Sequence, residues 1–187
     1  MSRQHLRIGA GAGFAGDRWE PAAELVERGD IDVLVFECLA ERTIARETLA
    51  RLRGEGPGYN PKLEARLNAV LETCAAKGIR IVSNMGAAAP LAAAHAACTI
   101  AAELNVADFS CAVLIGDDVR EQLTARPELT LLESGEPLEN ILGRMASANA
   151  YLGADSVAEA LASDALMVMT GRVADPSLFV GPLLHSF

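Results

Sequence analysis

Apolar residues fall along this chain in short unbroken runs. After each run, apolar positions recur every three or four residues. The runs are LRIG (6–9), IDVLVFE (31–37), IRIVSN (79–84), CAVLIG (111–116) and ALMVMT (165–170). None alternates cleanly with polar residues, and strands covered on both faces by helices read this way. The periodic stretches predict helices over 17–28, 40–53, 61–77 and 90–104, and a short one after Asp117 and Asp118. Segments near 136–149 and 155–163 also read as helical. Asp17 can cap the first helix and Gly29 stops it. Pro21 is tolerated only in a first turn, so regular helix is expected from about residue 20. Strands alternating with helices at this spacing predict a doubly wound α/β fold. Its mostly parallel sheet has at least five strands and helices on both faces, in a single domain over 1–187.

Composition narrows the core. Half of the 187 residues are apolar (51%) and only 4% are aromatic, so the interior must be built from Ala, Leu, Val and Ile. The net charge of −9 makes nucleic acid and anionic membrane surfaces poor partners. It leaves room for a local cationic pocket at Arg42, Arg80 or Arg172. Cys38, Cys74, Cys98 and Cys111 form no C-x-x-C pair and sit among apolar residues, which predicts buried, reduced thiols. His5, His95 and His185 have no metal-ligand spacing, and no metal site is expected. The opening MSRQHLRIG has no apolar signal core, so a cytoplasmic protein is expected.

In sheets of this kind ligands bind outside the carboxyl ends of the strands, and that rule selects the candidates. The first loop contains a literal G-x-G-x-x-G, Gly11, Gly13 and Gly16, with Glu37 at the end of the next strand where a ribose-binding acid would stand. Against a dinucleotide turn, the strand ends early, Asp17 follows the third glycine, and the helix begins late. A glycine-rich turn of purely structural use, or one shaped for another anion, remains open. After the third strand, Asn84, Met85 and Gly86 lead into the helix at Pro90, where backbone amides could cradle an anion. After the fifth, Arg172 beside Gly171 could hold a carboxylate or phosphate by a forked pair, with Thr170 before it and Asp175 as base or simple partner. Glu37 and Glu41 are candidate acid–base carboxylates. Asp117 and Asp118 could bind magnesium or cap the next helix. No serine occupies a G-x-S-x-G elbow, and Cys38 has no evident histidine partner.

Three segments carry a family resemblance: RIGAGAGFAGDRWEPAAELVERGDIDVLVFECLAERTIA, NMGAAAPLAAA and TGRVADPSLFVGPLLHSF. Together they resemble the acyclic terpene utilisation (AtuA-like) family over nearly the whole chain. Two positions depart from the pattern: Ala15 stands where a second aromatic is expected, and Cys38 where an aromatic would be unremarkable. The resemblance implies a place in the breakdown of citronellol- and geraniol-like terpenes and related branched acids, which proceeds through coenzyme A esters. Family members are usually longer, which implies that this chain is either the N-terminal part of a longer protein or a short form.

The combined expectation is an enzyme of lyase or hydratase type, needing no cofactor, acting on a branched carboxylic acid or its coenzyme A ester. Gly11, Gly13, Phe14, Gly16, Asp17, Asn84, Met85, Gly86, Thr170, Gly171 and Arg172 would bind substrate, and Glu37, Asp175 or Glu41 would move protons. An NAD(P)-binding oxidoreductase using the GAGFAG loop is the first alternative. A non-catalytic assembly domain is the second. The expected partners are the small-molecule substrate and either a second copy of the chain or a C-terminal domain.

Overall fold

The computed structural model describes residues 5–187. Five strands form one all-parallel sheet: β1 (Ile8–Ala12), β2 (Val33–Phe36), β3 (Arg80–Ser83), β4 (Cys111–Leu114) and β5 (Met167–Thr170), in the order β1-β2-β3-β5-β4. The helices between them are α1 (Glu20–Arg28), α2 (Glu41–Leu52), α3 (Leu63–Lys77), α4 (Pro90–Glu103), α5 (Arg120–Thr124), α6 (Glu139–Leu142) and α7 (Ala154–Leu161); α8 (Ser177–Ser186) follows β5. No helix among the described residues is long and apolar enough to cross a membrane.

The order of the strands sets the faces. From β1 to β4 the chain steps in one direction across the sheet, skipping one place. Right-handed crossovers then put α1, α3 and α4 on a single face. There Leu34, Phe36, Ile81, Met167 and Met169 meet Val26, Leu67, Leu71, Ala93 and Ala97 in the larger core. The step back from β4 to β5 reverses direction. That places α7, with α8 beside it, on the other face, where Val35, Val82 and Val168 pack on Val157, Leu161 and Leu178. Burial on both faces explains the unbroken apolar runs.

Two neighbours, β3 and β5, therefore send their following loops to opposite faces, β3 to α4 and β5 to α8. A crevice opens between such strands at their carboxyl ends. Its walls come unusually close. A Cβ on Gly86 would lie 2.5 Å from the Thr170 carbonyl and 2.8 Å from the Pro90 Cα, and one on Gly171 would lie 2.7 Å from the Asp117 carboxylate. Only glycine lets these three loops touch.

Several elements differ from the sequence reading. The first helix starts at Glu20 with Pro21 in its first turn, as that proline required, but Asp17 does not cap it, because its carboxylate accepts the Gly13 N–H (2.9 Å). Of 136–149 only Glu139–Leu142 is helical. Pro137 and Gly143 flank it, and Asn149 bridges back to Asp118 in an extended pairing. Helix α8 carries Gly181 and Pro182, which read as breaks, yet it forms because burial of Leu178, Gly181 and Pro182 against its neighbours outweighs propensity. Cys98 is exposed, correcting the expectation of four buried thiols; Cys38 and Cys74 are buried and Cys111 is half-buried.

Candidate functional site

The glycine loop lies at the β1 edge of the sheet, and its polar groups are engaged by the protein itself. Arg66 is fully buried and donates through Nη2 to the carbonyls of Phe14 (3.3 Å), Ala15 (3.2 Å) and Asp17 (3.0 Å). Its Nη1 reaches Asn60 Oδ1 at 3.2 Å, and Lys62 Nζ holds the Gly16 carbonyl at 2.6 Å. Gly16 has no side chain because the Phe14 ring occupies that space, 2.7 Å from where a Cβ would be. Gly11 is likewise crowded by the Phe36 ring. The loop thus turns carbonyls inward to a cation, and the Gly13 amide that would face a pyrophosphate is filled by Asp17. Arg66 was hidden in plain view. It occupies the buried stripe Leu63, Arg66, Leu67, Val70, Leu71, Cys74, where an arginine is out of place unless it has work to do.

At the ends of β2 and β3, Asn84 is fully buried. Its Oδ1 accepts the Cys38 N–H (2.6 Å) and its Nδ2 donates to Glu37 Oε1 (2.9 Å), which also accepts the Leu39 N–H (3.0 Å). Asn84 therefore ties two strand ends together and orients Glu37. Met85 is buried too, its amide on Ser83 Oγ and its carbonyl taken by the Asn60 N–H. Burial pushes the Cys38 thiol up to about 12, a shift that nearby Arg66 only partly offsets. It stays protonated at neutral pH and is no nucleophile.

After β5, Thr170 is buried with its hydroxyl on the Gly171 carbonyl (2.9 Å). The Arg172 side chain is only 3% exposed. Its Nη2 donates to Glu41 Oε1 (2.8 Å) and lies 2.9 Å from the Tyr151 hydroxyl, and its Nη1 donates to the Leu39 carbonyl and pairs with Asp175 at 3.2 Å. The Tyr151 ring stacks 4.3 Å from the guanidinium carbon. Glu41, exposed in the first turn of α2, is held below the usual carboxylate range. Its hydrogen bond from Tyr151 is the main cause, followed by its own main-chain N–H and the Arg172 charge. Arg80 lies instead at the amino end of β3, paired with Asp164 (2.9 Å), and Arg42 is exposed on α2.

A cavity of about 570 Å³ lies in the crevice. One wall is the first turn of α4, where Leu91 and Ala92 carry amides with no partner further back in the helix. Arg51 and Leu52 of α2 form a second wall, and Arg51 Nη1 donates to the Ala88 carbonyl at 2.8 Å. The third is Ile115–Asp118 with Arg120, Ser147 and Asn149. Asp117 is buried, and its Oδ2 accepts the Arg172 N–H (2.8 Å) and Asn149 Nδ2 (2.9 Å). Asp118 is held low, chiefly by hydrogen bonds from the Arg120 side chain, and it accepts the Arg120 N–H at the start of α5. The two acids thus do different things: Asp118 caps α5 and pairs with Arg120, Asp117 ties the end of β5 to Asn149, and both line the cavity. No group of three or more His, Cys, Asp or Glu among the described residues could hold a metal.

Of the residues singled out in the sequence, Asn84, Glu37, Arg172, Glu41 and Asp175 share one continuous rim, joined through Leu39. The cavity is bounded by Asp117 and Asp118, which the sequence offered as a magnesium pair or a helix cap, and by Arg51, Arg120 and Asn149, which it did not single out. Arg51 had a signal, since Thr48, Arg51 and Leu52 share one face of α2 at i, i+3, i+4 spacing. Asn149 and Tyr151 had none, because they arrive over the site from a connection with no regular period.

A family model described as "Acyclic terpene utilisation family protein AtuA" matches residues 6–187. The chain belongs to that family. No curated protein and no solved structure matches it significantly.

Proposed function

We propose that the protein is an acid–base enzyme of acyclic terpene breakdown, of lyase or hydratase type, acting on a branched carboxylic acid or its coenzyme A ester in the crevice cavity. The observation that carries this reading is one buried carboxylate, Asp117, in the wall of a cavity that also presents Arg51, Arg120 and the first-turn amides of α4. The helix start and the two arginines favour the anionic end of a ligand. Leu52, Leu91 and Ile115, each more than half exposed, offer apolar cover for a branched chain. Asp117, fixed by two donors on one oxygen, would move the proton. The volume lies within the range of small-molecule sites, roughly 300–1,000 Å³.

A thermal-shift panel tests it, since a ligand that binds only the folded state raises the melting temperature by mass action. Branched acids or their coenzyme A esters are expected to raise it, and Arg51→Ala is expected to remove the rise with the esters, whose phosphates it would meet. A shift with NAD or NADP alone would sink this reading in favour of an oxidoreductase. A second reading, an assembly domain, is supported by Val180, Leu183 and Leu184 exposed together on α8. It predicts no ligand shift and self-association in sedimentation.

A further inference from the structure

The Arg172 cluster joins a rigid, buried cation to a movable, exposed anion. The guanidinium is 3% exposed and fixed by the Leu39 carbonyl and the Tyr151 stack, whereas the Glu41 side chain is 74% exposed. Three donors converge on that one carboxylate: Arg172 Nη2 at 2.8 Å, the Tyr151 hydroxyl, and the main-chain N–H of Glu41 itself at the start of α2. Arg172 Nε is buried without any partner, so the guanidinium is not saturated as a purely structural ion pair would be. The cluster adjoins the cavity without lining it. Asp117 of the cavity holds the Arg172 N–H, and Tyr151 lies two residues beyond Asn149, which lines it.

We infer that Arg172 and Tyr151 form a carboxylate-binding subsite at the edge of the crevice, and that Glu41 is its resident occupant, displaced when a ligand carboxylate arrives. A planar carboxylate matches these donors because Glu41 already presents one to them. Asp175 pairs with Nη1, so Nη2 and the Tyr151 hydroxyl are the groups released when Glu41 swings out. A tethered carboxylate competes at an effective concentration in the millimolar range. A simple carboxylate therefore loses to it, and a ligand wins only if it also gains contacts in the cavity. Glu41 acts as a filter for acids long enough to fill both places. The inference rests on the proposed pocket for the far end of that ligand and on no residue of it for the carboxylate.

The test titrates 3-methylbutanoate, with neutral 3-methylbutanamide as control, into wild type, Glu41→Ala, and Glu41→Ala combined with Tyr151→Phe, by calorimetry. Tyr151→Phe keeps the ring stacked on Arg172 and removes only the hydroxyl. Emptying the subsite by Glu41→Ala is expected to tighten the acid about tenfold or more. The second change should return most of that gain, and the amide should respond to neither. Unchanged acid affinity in Glu41→Ala, equal tightening of acid and amide, or a gain indifferent to Tyr151→Phe would each overturn the inference. The gain does not pass through Arg51 or Asp117, so it persists if the enzyme reading fails. A coenzyme A thioester has no free carboxylate at its acyl end, so a shift with it is expected to ignore Glu41 and tests the pocket alone.

Discussion

The loop after β1 has three glycines in phosphate-binding spacing, and the loop after β3 reads NMGAAAP. In the first, Arg66 and Lys62 take the carbonyls and Asp17 takes the Gly13 amide, so its donors and acceptors are spent within the protein. In the second, Gly86 brings the chain hard against β5, and α4 starts with two unpartnered amides facing a cavity. The difference teaches that glycine spacing describes how closely a backbone can pass something. What it passes here is the Phe14 and Phe36 rings in one loop and the end of β5 in the other.

The largest expected effect sharpens the structural reading of the first loop. Arg66→Met leaves the Ala15 carbonyl without its donor, takes one of two donors from the Phe14 and Asp17 carbonyls and from Asn60 Oδ1, and should cost about 3 kcal/mol in chemical denaturation. Ligand-induced shifts in the surviving folded protein should be unchanged, and loss of a coenzyme A ester shift at preserved stability would move the site back to that loop. Gly86→Ala forces its Cβ onto backbone atoms and should cost about 2 kcal/mol while also weakening ligand binding, because the crevice walls must part. Asp117→Asn, measured the same way, should cost about 1 kcal/mol, since the amide oxygen can keep both donors but loses the charge that strengthens those bonds. Turnover on a coenzyme A ester should vanish in it. The smallest effect is the most pointed: a Cβ on Gly13 has nothing within 4 Å, so Gly13→Ala should change stability by no more than about 0.5 kcal/mol. A melting temperature lowered by many degrees, or an abolished NAD shift, would restore the glycine motif as a binding element.

The thiols give a check on packing that is independent of any ligand. Burial raises Cys38, Cys74 and Cys111 from 9.0 to about 12. The folded state holds these protons more tightly than the unfolded chain, so their contribution is complete below about pH 9 and declines as pH rises towards 12. Denaturation midpoints should therefore be flat from pH 7 to 8 and fall above 9. A disulfide reagent at pH 7.5 should label Cys98 quickly and the other three only on unfolding.

Local pattern was enough for the sheet. Four apolar runs contain their strands whole, the first does not, since β1 runs on through the glycines to Ala12 instead of ending at Gly9, and the helix over 90–104 formed as α4, ending one residue early at Glu103. Those features depend on neighbours in sequence and on which face must leave water, and periodicity records both. Helix α8 was not, because its Gly181 and Pro182 argue against a helix until a surface exists for Leu178 to cover.

What the sequence determined by itself was the fold class, the family and the set of loops at the strand ends. What only the tertiary structure decided was which polar groups in those loops are free. Asn84, Glu37 and Arg172 were found, yet their partners come from 46, 47 and 131–133 residues away in the chain. The order β1-β2-β3-β5-β4 put β5 between β3 and β4, and so created the crevice, brought Asn149 onto Asp117 and filled the glycine loop from α3. A donor's availability is the remainder after every distant acceptor has been placed, and no local window of sequence contains that remainder.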